Sequence, residues 1–342
     1  MDLLPSADQL DLARVAADFL AQELPRDRIR QRADESSSLD PHAWAGCADL
    51  GLFGLSVPEE LGGAGCGVEE EALLFRELGR QVAPGPFLST VLAAQLAVGV
   101  GDGDLVASVV AGKTAVGLAA LRPGGTVTEH RVRGDLDLID AVDAPLILLL
   151  GPAGAALVET AQLGDVQPVP SIDPGVRLAA ASGVDAPVSA WLPATVQPLY
   201  LRGLVLAAAM LVGIAEACRD ASTEYAKTRE QFGRPIGVNQ AVKHKCADMA
   251  VQAELGMAQV YFAAVSVASG RPDAELQART AKVVAAHAAT VNAASNVQVH
   301  GGMGYTWEND AHLFVKRVEV LEHVLGGRTE HLGRIIALPA PQ

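Results

Sequence analysis

Apolar positions along the chain fall into three zones of different period. Over Asp8–Glu23, Leu10, Val15, Ala16 and Phe19 stay near one face at helical spacing, and Pro25 closes the segment. A second helix is predicted over Val68–Gln81. It is acidic in its first turn (Glu69, Glu70, Glu71) and basic in its last (Arg76, Arg80), which complements a helix dipole. Between them, the glycine and proline content of Gly51–Gly63 predicts a loop. From about Thr114 the helical period stops. Thr114–Leu121, Leu136–Val142 and Leu146–Leu150 are short apolar stretches separated by Gly, Pro and Asp. They predict a small β unit of roughly eighty residues, built as a barrel or sandwich. After Pro193 a stripe of Leu201, Leu204, Val205, Ala208, Leu211, Val212 and Ala215 restores the helical period. Long helices are expected at about Gln240–Ser269 and Asp273–Val299, and a short one at about Ala311–Val324. Helices, then strands, then a helical bundle define an α+β chain rather than a wound α/β sheet. The expected divisions are 1–110 (N-terminal helical domain), 111–193 (central β-domain) and 194–342 (C-terminal bundle).

Composition narrows the function. At 342 residues, two or three structural units are expected. Half the residues are apolar and 19% charged, a globular balance. The net charge of −14, without a basic run, argues against a nucleic-acid binder. Met1–Leu20 lacks a basic segment leading into an apolar one, so no export signal is expected. The uncharged stretch Gly203–Ala215 is shorter than the ~20 residues that span a bilayer. Cys47, Cys66, Cys218 and Cys246 form no C-x-x-C pair and are expected to be reduced thiols of a cytoplasmic protein.

Several motifs fall short of a chemistry. The glycines of 62–67 lack both the G-x-G-x-x-G spacing and a preceding strand. Ala107–Thr114 resembles a phosphate loop but has alanine at its first glycine position, and its apolar β-like segment follows the Gly-Lys-Thr instead of preceding it. No nucleophile elbow occurs. The eight histidines include no H-E-x-x-H, and no metal site is expected.

Two segments carry information. In Tyr225–Gln240 a helix is predicted to end near Phe232-Gly233, followed by a loop and a new helix at about Gln240. Arg229 and Arg234 at that break can meet a diphosphate with fork geometry, or can be an exposed basic cluster. In Gln298–Asp310, Gly301, Gly302 and Gly304 close a long helix. They permit left-handed backbone and close approach to a ligand, or a plain helix cap, and Gln298 adds an amide.

In order and spacing, Arg229-x-x-Phe232-Gly233, Ile236, Gln240-Ala241 and Gln298-x-x-Gly301-Gly302-x-Gly304-Tyr305 resemble the acyl-CoA dehydrogenase family. Gly54–Gly65 and Arg76-Glu77-Leu78-Gly79 resemble that family's N-terminal domain. The resemblance implies FAD bound across a subunit interface. Arg229 and Phe232 would reach the pyrophosphate region of a neighbour's flavin, and Gln240, Gln298, Gly301 and Gly302 would line its ADP half. It implies α,β-dehydrogenation of an acyl-CoA thioester, with a buried Glu as base and a raised pKa. Electrons would pass to an electron-transferring flavoprotein. Here the pattern breaks. Gly326 stands at one usual Glu position, and Arg202 (or Gly203) at the other. Ala119–Gly125 replaces the hydroxyl-bearing stretch that seats the flavin ring, and the β-domain is short. The residues that would reach a neighbour's flavin are kept, whereas those for the chain's own flavin and the proton abstraction are not. This resembles the short partner subunit of mycobacterial-type α2β2 enzymes acting on steroid side-chain thioesters. Two other readings stay open: a homomeric dehydrogenase with its base relocated, for example to Glu216, Glu322 or Glu330, and a non-catalytic acyl-CoA-binding scaffold.

Overall fold

The computed structural model of the protein describes residues 4–339. The chain separates into two compact units, each built from non-contiguous segments: 4–26, 72–83 and 204–339 in one, and 27–71 and 84–203 in the other. Helices α4 (Val68–Arg80) and α7 (Leu199–Thr228) run from one into the other.

The first unit begins with α1 (Ala7–Glu23), started by a reciprocal cap between Ser6 and Gln9. Its buried face is Ala13, Ala16 and Leu20. Of the face expected from sequence, Ala16 is buried and Phe19 half-buried, whereas Leu10 is 53% and Val15 46% exposed. The physical reason is the partner surface. Ala13 packs with Leu73, Tyr261 and Val265, and the Tyr261 hydroxyl donates to Gln9 Oε1 at 2.8 Å, so the helix rotates to put small residues there. α7 is also broader in its burial than a stripe: every residue from Arg202 to Cys218 is buried. The helix is long and apolar enough to cross a membrane by length and composition alone, yet 94% of its apolar window lies inside the protein, as in a core helix. The sequence stretch ended at Ala215 because of Glu216, Arg219 and Asp220, which the helix accommodates as ion pairs with neighbours.

Around α7 stand α8 (Gln240–Ala268), α9 (Ala274–His300), α10 (Ala311–Leu321) and α11 (Arg328–Ala337), close to the expected bounds except that α11 was not foreseen. Ala215, Ala253 and Ala288 meet at the centre, and the buried Asn292 amide donates to the carbonyls of Ala215 and Met249, both at 2.9 Å. α4 crosses α7 through glycines. A Cβ on Gly213 would lie 2.0 Å from Arg76 O, and one on Gly79 would lie 2.0 Å from Met210 O.

In the second unit, α2 (Arg26–Gln31) is followed by α3 (Pro41–Asp49), capped by Asp40 with Pro41 in its first turn. Trp44 packs against Phe53 and Phe87 and donates its indole N–H to Gly112 O at 3.1 Å. The expected loop 51–63 contains two short 3-10 turns, Leu52–Gly54 and Glu59–Leu61. α5 (Phe87–Val100) and α6 (Gly103–Val110) follow. α5 is buried continuously from Phe87 to Ala97, so it carries no polar face for a periodicity to register.

The strands are β1 (Val116–Leu121), β2 (Thr126–Val127), β3 (Arg131–Ile139), β4 (Leu146–Gly151), β5 (Gly154–Glu159), β6 (Val166–Val169), β7 (Leu178–Pro187) and β8 (Ala190–Pro193). They form one open sheet in the order β6-β7-β3-β1-β4-β5-β8, with β2 on β3 and β1 parallel to β4. This corrects the barrel or sandwich expected from sequence. One face gathers Val132, Leu136, Leu138, Ile147, Leu149 and Val158 into a cluster. The other needs no second sheet because α5 lies against β1, β4 and β8, with Thr90 Oγ1 accepting from Val116 N–H at 3.0 Å.

The α4–α7 crossing yields a stability prediction. Gly213→Ala forces backbone apart and should cost about 1–3 kcal/mol or more. Gly333→Ala in α11, with nothing within 4 Å of the new methyl, should gain up to about 1 kcal/mol. Thermal unfolding midpoints of the two variants should move in opposite directions.

Candidate functional site

α7 and α9 run parallel, because antiparallel α8 stands between them in sequence. Their ties rise together along both helices: Asn292 to Ala215, then Ser222 Oγ donating to Asn296 Oδ1 at 2.8 Å, then the Tyr225 ring stacked on His300 at 4.3 Å and 26°. Both helices therefore end at the same end of the bundle, where α8 begins. This places the segments of Arg229, Gln240 and Gln298 together.

The details there differ from the expected helix end at Phe232-Gly233. α7 stops at Thr228, and β9 (Glu230–Gln231) pairs with β10 (Arg234–Pro235) as a small hairpin. Phe232 (φ +54°) and Gly233 (φ +78°) form its two-residue turn, the left-handed pair that suits a tight hairpin. Ile236 N–H donates to Arg229 O at 2.8 Å and closes it. Phe232 consequently stands 99% exposed. Arg229, Gln240 and Gln298 are exposed, and among the described residues no side-chain hydrogen bond or ion pair engages them. Gly301 has φ +60° and ψ −139°, a conformation reserved for glycine, and at both Gly301 and Gly302 a Cβ would meet open space. A cavity of about 410 Å³ lies under the hairpin, lined by Ala226, Lys227, Pro235, Val238, Val242 and Cys246. An unpaired guanidinium and open glycine backbone at one end of the bundle can receive a diphosphate, and exposed amides can bond a ribose or adenine edge.

Neither expected base position is occupied by a carboxylate, and the structure gives each a different reason. Gly326 has φ +106°, and a Cβ there would lie 3.1 Å from both Glu330 Oε2 and His331 Nε2, so any side chain is strained. The turn around it is held from beneath. His331 Nε2 donates to Gly326 O at 3.0 Å, Arg279 Nη1 reaches His331 Nδ1 at 3.2 Å, and Lys282 Nζ donates to Leu321 O and Glu322 O. Arg202 is buried in an ion pair with the fully buried Glu71 at 2.6 Å, and it also donates to Gln95 Oε1 at 3.2 Å. Ser56 hydrogen-bonds the other Glu71 oxygen. Glu216 is buried but accepts from Arg76 at 2.6 Å and Arg80 at 3.1 Å, so it is held as an ion pair. Glu330 is exposed and Glu322 half-buried. Sequence reasoning missed Glu71 and the Lys282–His331 cluster, because their partners lie 131 and 52 residues away and share no local pattern. All four cysteines are free thiols, with Cys47 and Cys218 buried.

The cluster beneath Gly326 makes folding pH-dependent. Burial, then the charges of Lys282 and Arg279, push His331 down to about 4 from 6.5. Burial pushes Lys282 down to about 8 from 10.5, against the pull of Glu322. Between pH 4 and 6.5 the unfolded chain binds the His331 proton and the folded chain does not, so stability falls as pH drops through that window. Between pH 8 and 10.5 the same logic for Lys282 makes stability rise with pH. His331→Asn should flatten the slope of urea stability against pH between 4 and 6.5, whatever its effect on stability at pH 7.

Residues 6–103 match the acyl-CoA dehydrogenase N-terminal domain and residues 202–338 the acyl-CoA dehydrogenase C-terminal domain, leaving 104–201, most of the sheet unit, between them. Acyl-CoA dehydrogenase IpdE2 of Mycobacterium tuberculosis is 31% identical over 338 residues, covering 97% of this chain and 98% of that protein. Acyl-CoA dehydrogenase FadE34 of the same organism is 35% identical over 305 residues, covering 86% of this chain and 42% of that longer protein. Among solved structures, the ChsE4-ChsE5 complex from M. tuberculosis superposes with a TM-score of 0.88 at 26% identity over 99% of this chain and 100% of that chain. The Tcur3481-Tcur3483 steroid acyl-CoA dehydrogenase G363A variant gives 0.88 at 25% identity over 96% and 97%. With relatives matched along nearly its whole length and the helices and sheet in the family's order, this chain belongs to the acyl-CoA dehydrogenase family.

Proposed function

We propose that this chain is the partner subunit of a heteromeric, α2β2 acyl-CoA dehydrogenase. It completes the FAD site of a homologous subunit that carries the catalytic base, in an enzyme that introduces an α,β double bond into an acyl-CoA thioester. The observation that carries the reading is an asymmetry within one chain. At the end of the bundle, Arg229 is unpaired and the backbone of Gly301 and Gly302 is open, as a cofactor-contacting face requires. At the two base positions, Gly326 is left-handed and Arg202 is neutralised by Glu71.

The residues fit the ADP half of FAD. Arg229 supplies a delocalised cation for the pyrophosphate, Phe232 an exposed ring beside it, Gln240 and Gln298 amides for the adenosine, and Gly301 and Gly302 backbone that can be approached closely. FAD when bound supplies the acceptor for the hydride leaving the β-carbon. The residues expected at the chain's own flavin-ring seat offer less. Ala119, Ala120 and Leu121 are strand residues of β1, Arg122 is tied to Asp137 at 2.6 Å, and Gly125 packs closely on Leu121. A ring 99% exposed at Phe232, with Met303, Tyr305 and Trp307 also exposed, is surface suited to cover by cofactor or subunit. The solved relatives described as a ChsE4-ChsE5 complex and a steroid acyl-CoA dehydrogenase support a second polypeptide and a bulky, sterol-derived CoA ester as substrate. An electron-transferring flavoprotein is the acceptor in this reading.

The test is purification of this chain alone and together with a homologous dehydrogenase subunit encoded beside it, with flavin absorbance and subunit ratio recorded. Flavin is expected only in an equimolar complex, and Arg229→Ala should lower its affinity there by roughly ten- to a hundredfold. Stoichiometric flavin in the lone chain overturns the proposal.

A further inference from the structure

The two segments that would face the cofactor are 72 residues apart in sequence, between Arg229 and Gly301, and each follows directly on the end of a long helix. The helices themselves are fixed deeper in the bundle. Asn292 bonds the carbonyls of α7 and α8, and Ser222 bonds Asn296, with both asparagines and the serine essentially out of solvent. Those bonds suffice to hold α7 beside α9. One turn further out a different contact appears: the half-buried rings of Tyr225 and His300, stacked at 4.3 Å.

That contact sits at the root of both segments. Tyr225 O accepts from Arg229 N–H at 2.8 Å, and Arg229 O accepts from Ile236 N–H at 2.8 Å, so the hairpin is hung from the Tyr225 backbone. His300 is the last residue of α9, and its neighbour Gly301 begins the glycine turn. The His300 ring is aimed by its own helix, with Nδ1 donating to Asn296 O at 2.8 Å. Because a carbonyl only accepts, this bond places a proton on Nδ1 and holds the ring's orientation. Each ring is thus oriented from its own side, and the stack is where the two orientations meet.

Resting on the reading that Arg229 and Gly301 face the cofactor, we propose that Tyr225 and His300 form a clamp that sets the hairpin against the glycine turn, with His300 as a positioning residue for the flavin site. The clamp holds the spacing between the cation for the diphosphate and the bare backbone beside it. Losing it leaves both segments intact but free to move relative to each other, so the cofactor must be bound by parts that are no longer preorganised.

Two measurements test this, and one of them needs no flavin. Amide hydrogen exchange on the chain alone, comparing wild type with His300→Ala and Tyr225→Ala, should show faster exchange in both 229–236 and 301–305 for either variant. Exchange within Leu204–Ala215 should be unchanged. A change confined to the segment that carries the substitution overturns the clamp. In the reconstituted complex, His300→Ala should raise the FAD dissociation constant by roughly two- to tenfold with little change in Tm. His300→Phe, which restores the stack without the Nδ1 hydrogen bond, should recover most of it. An unaltered affinity in His300→Ala, or a loss that tracks Tm and that Phe does not rescue, also overturns the proposal. A wild-type complex that binds no FAD sinks the functional reading instead, and the exchange data then decide the clamp by themselves.

Discussion

The bundle depends on how α7 is buried. From Arg202 to Cys218 every residue of that helix is buried, so every face must be packed against something. The sequence meets this with small residues where backbones approach. Gly213 and Gly79 let α7 and α4 come within a distance that a single methyl would forbid, and Ala215, Ala253 and Ala288 let three helices converge. Close approach leaves helix carbonyls without solvent, and the Asn292 amide reaches two of them at once. The price of that design is its intolerance of volume. Its consequence is register: with α7 and α9 locked parallel, the hairpin and the glycine turn must emerge side by side.

The chemistry follows a division between what is paired and what is left open. Two buried charges are paired within their own unit: Arg202 with Glu71, and Glu216 with Arg76 and Arg80. Removing one member of such a buried pair costs about 3–5 kcal/mol, so these residues are committed to structure. Lys282 and His331 are spent on carbonyls around Gly326, in a turn whose backbone already excludes a side chain. Arg229, by contrast, stands exposed and unpaired at the bundle end that also carries the open glycines, on a hairpin whose tip exposes an entire phenyl ring. A protein of net charge −14 keeps a free cation there without bringing in a general basic surface, because salt screens the distant acidic residues within about 10 Å.

Much of this was legible in the chain itself. The switch from helical period to short apolar stretches and back located the sheet between two helical regions, and the bounds of α4, α8, α9 and α10 fell close to their spacing-based limits. The motif spacing of Arg229, Phe232, Gln298 and the glycines picked out two segments that the structure brings to one end of the bundle, with Gly301 in a backbone conformation that needs glycine. Helix α5 was not legible, because a helix buried on all sides has no polar face to mark its period. The buried face of α1 overlaps the expected one at Ala16 but leaves Leu10 and Val15 exposed, because its position is set by Leu73, Tyr261 and Val265, far along the chain. An open sheet and a barrel or sandwich give the same short apolar stretches, because such a stretch shows that a strand is buried but not whether a second sheet or a helix covers it.

What the sequence determined by itself, then, was local: which stretches are helix or strand, and where glycine stands at the ends of long helices. What only the tertiary structure decided was pairing. That Arg202 meets Glu71, that Glu216 is held by two arginines, and that Tyr225 lies on His300 are all facts about residues between about seventy and one hundred and forty positions apart. The physical reason is that backbone preferences act over a few residues, whereas ion pairs and ring stacks act through space and exist only once packing has brought their members together.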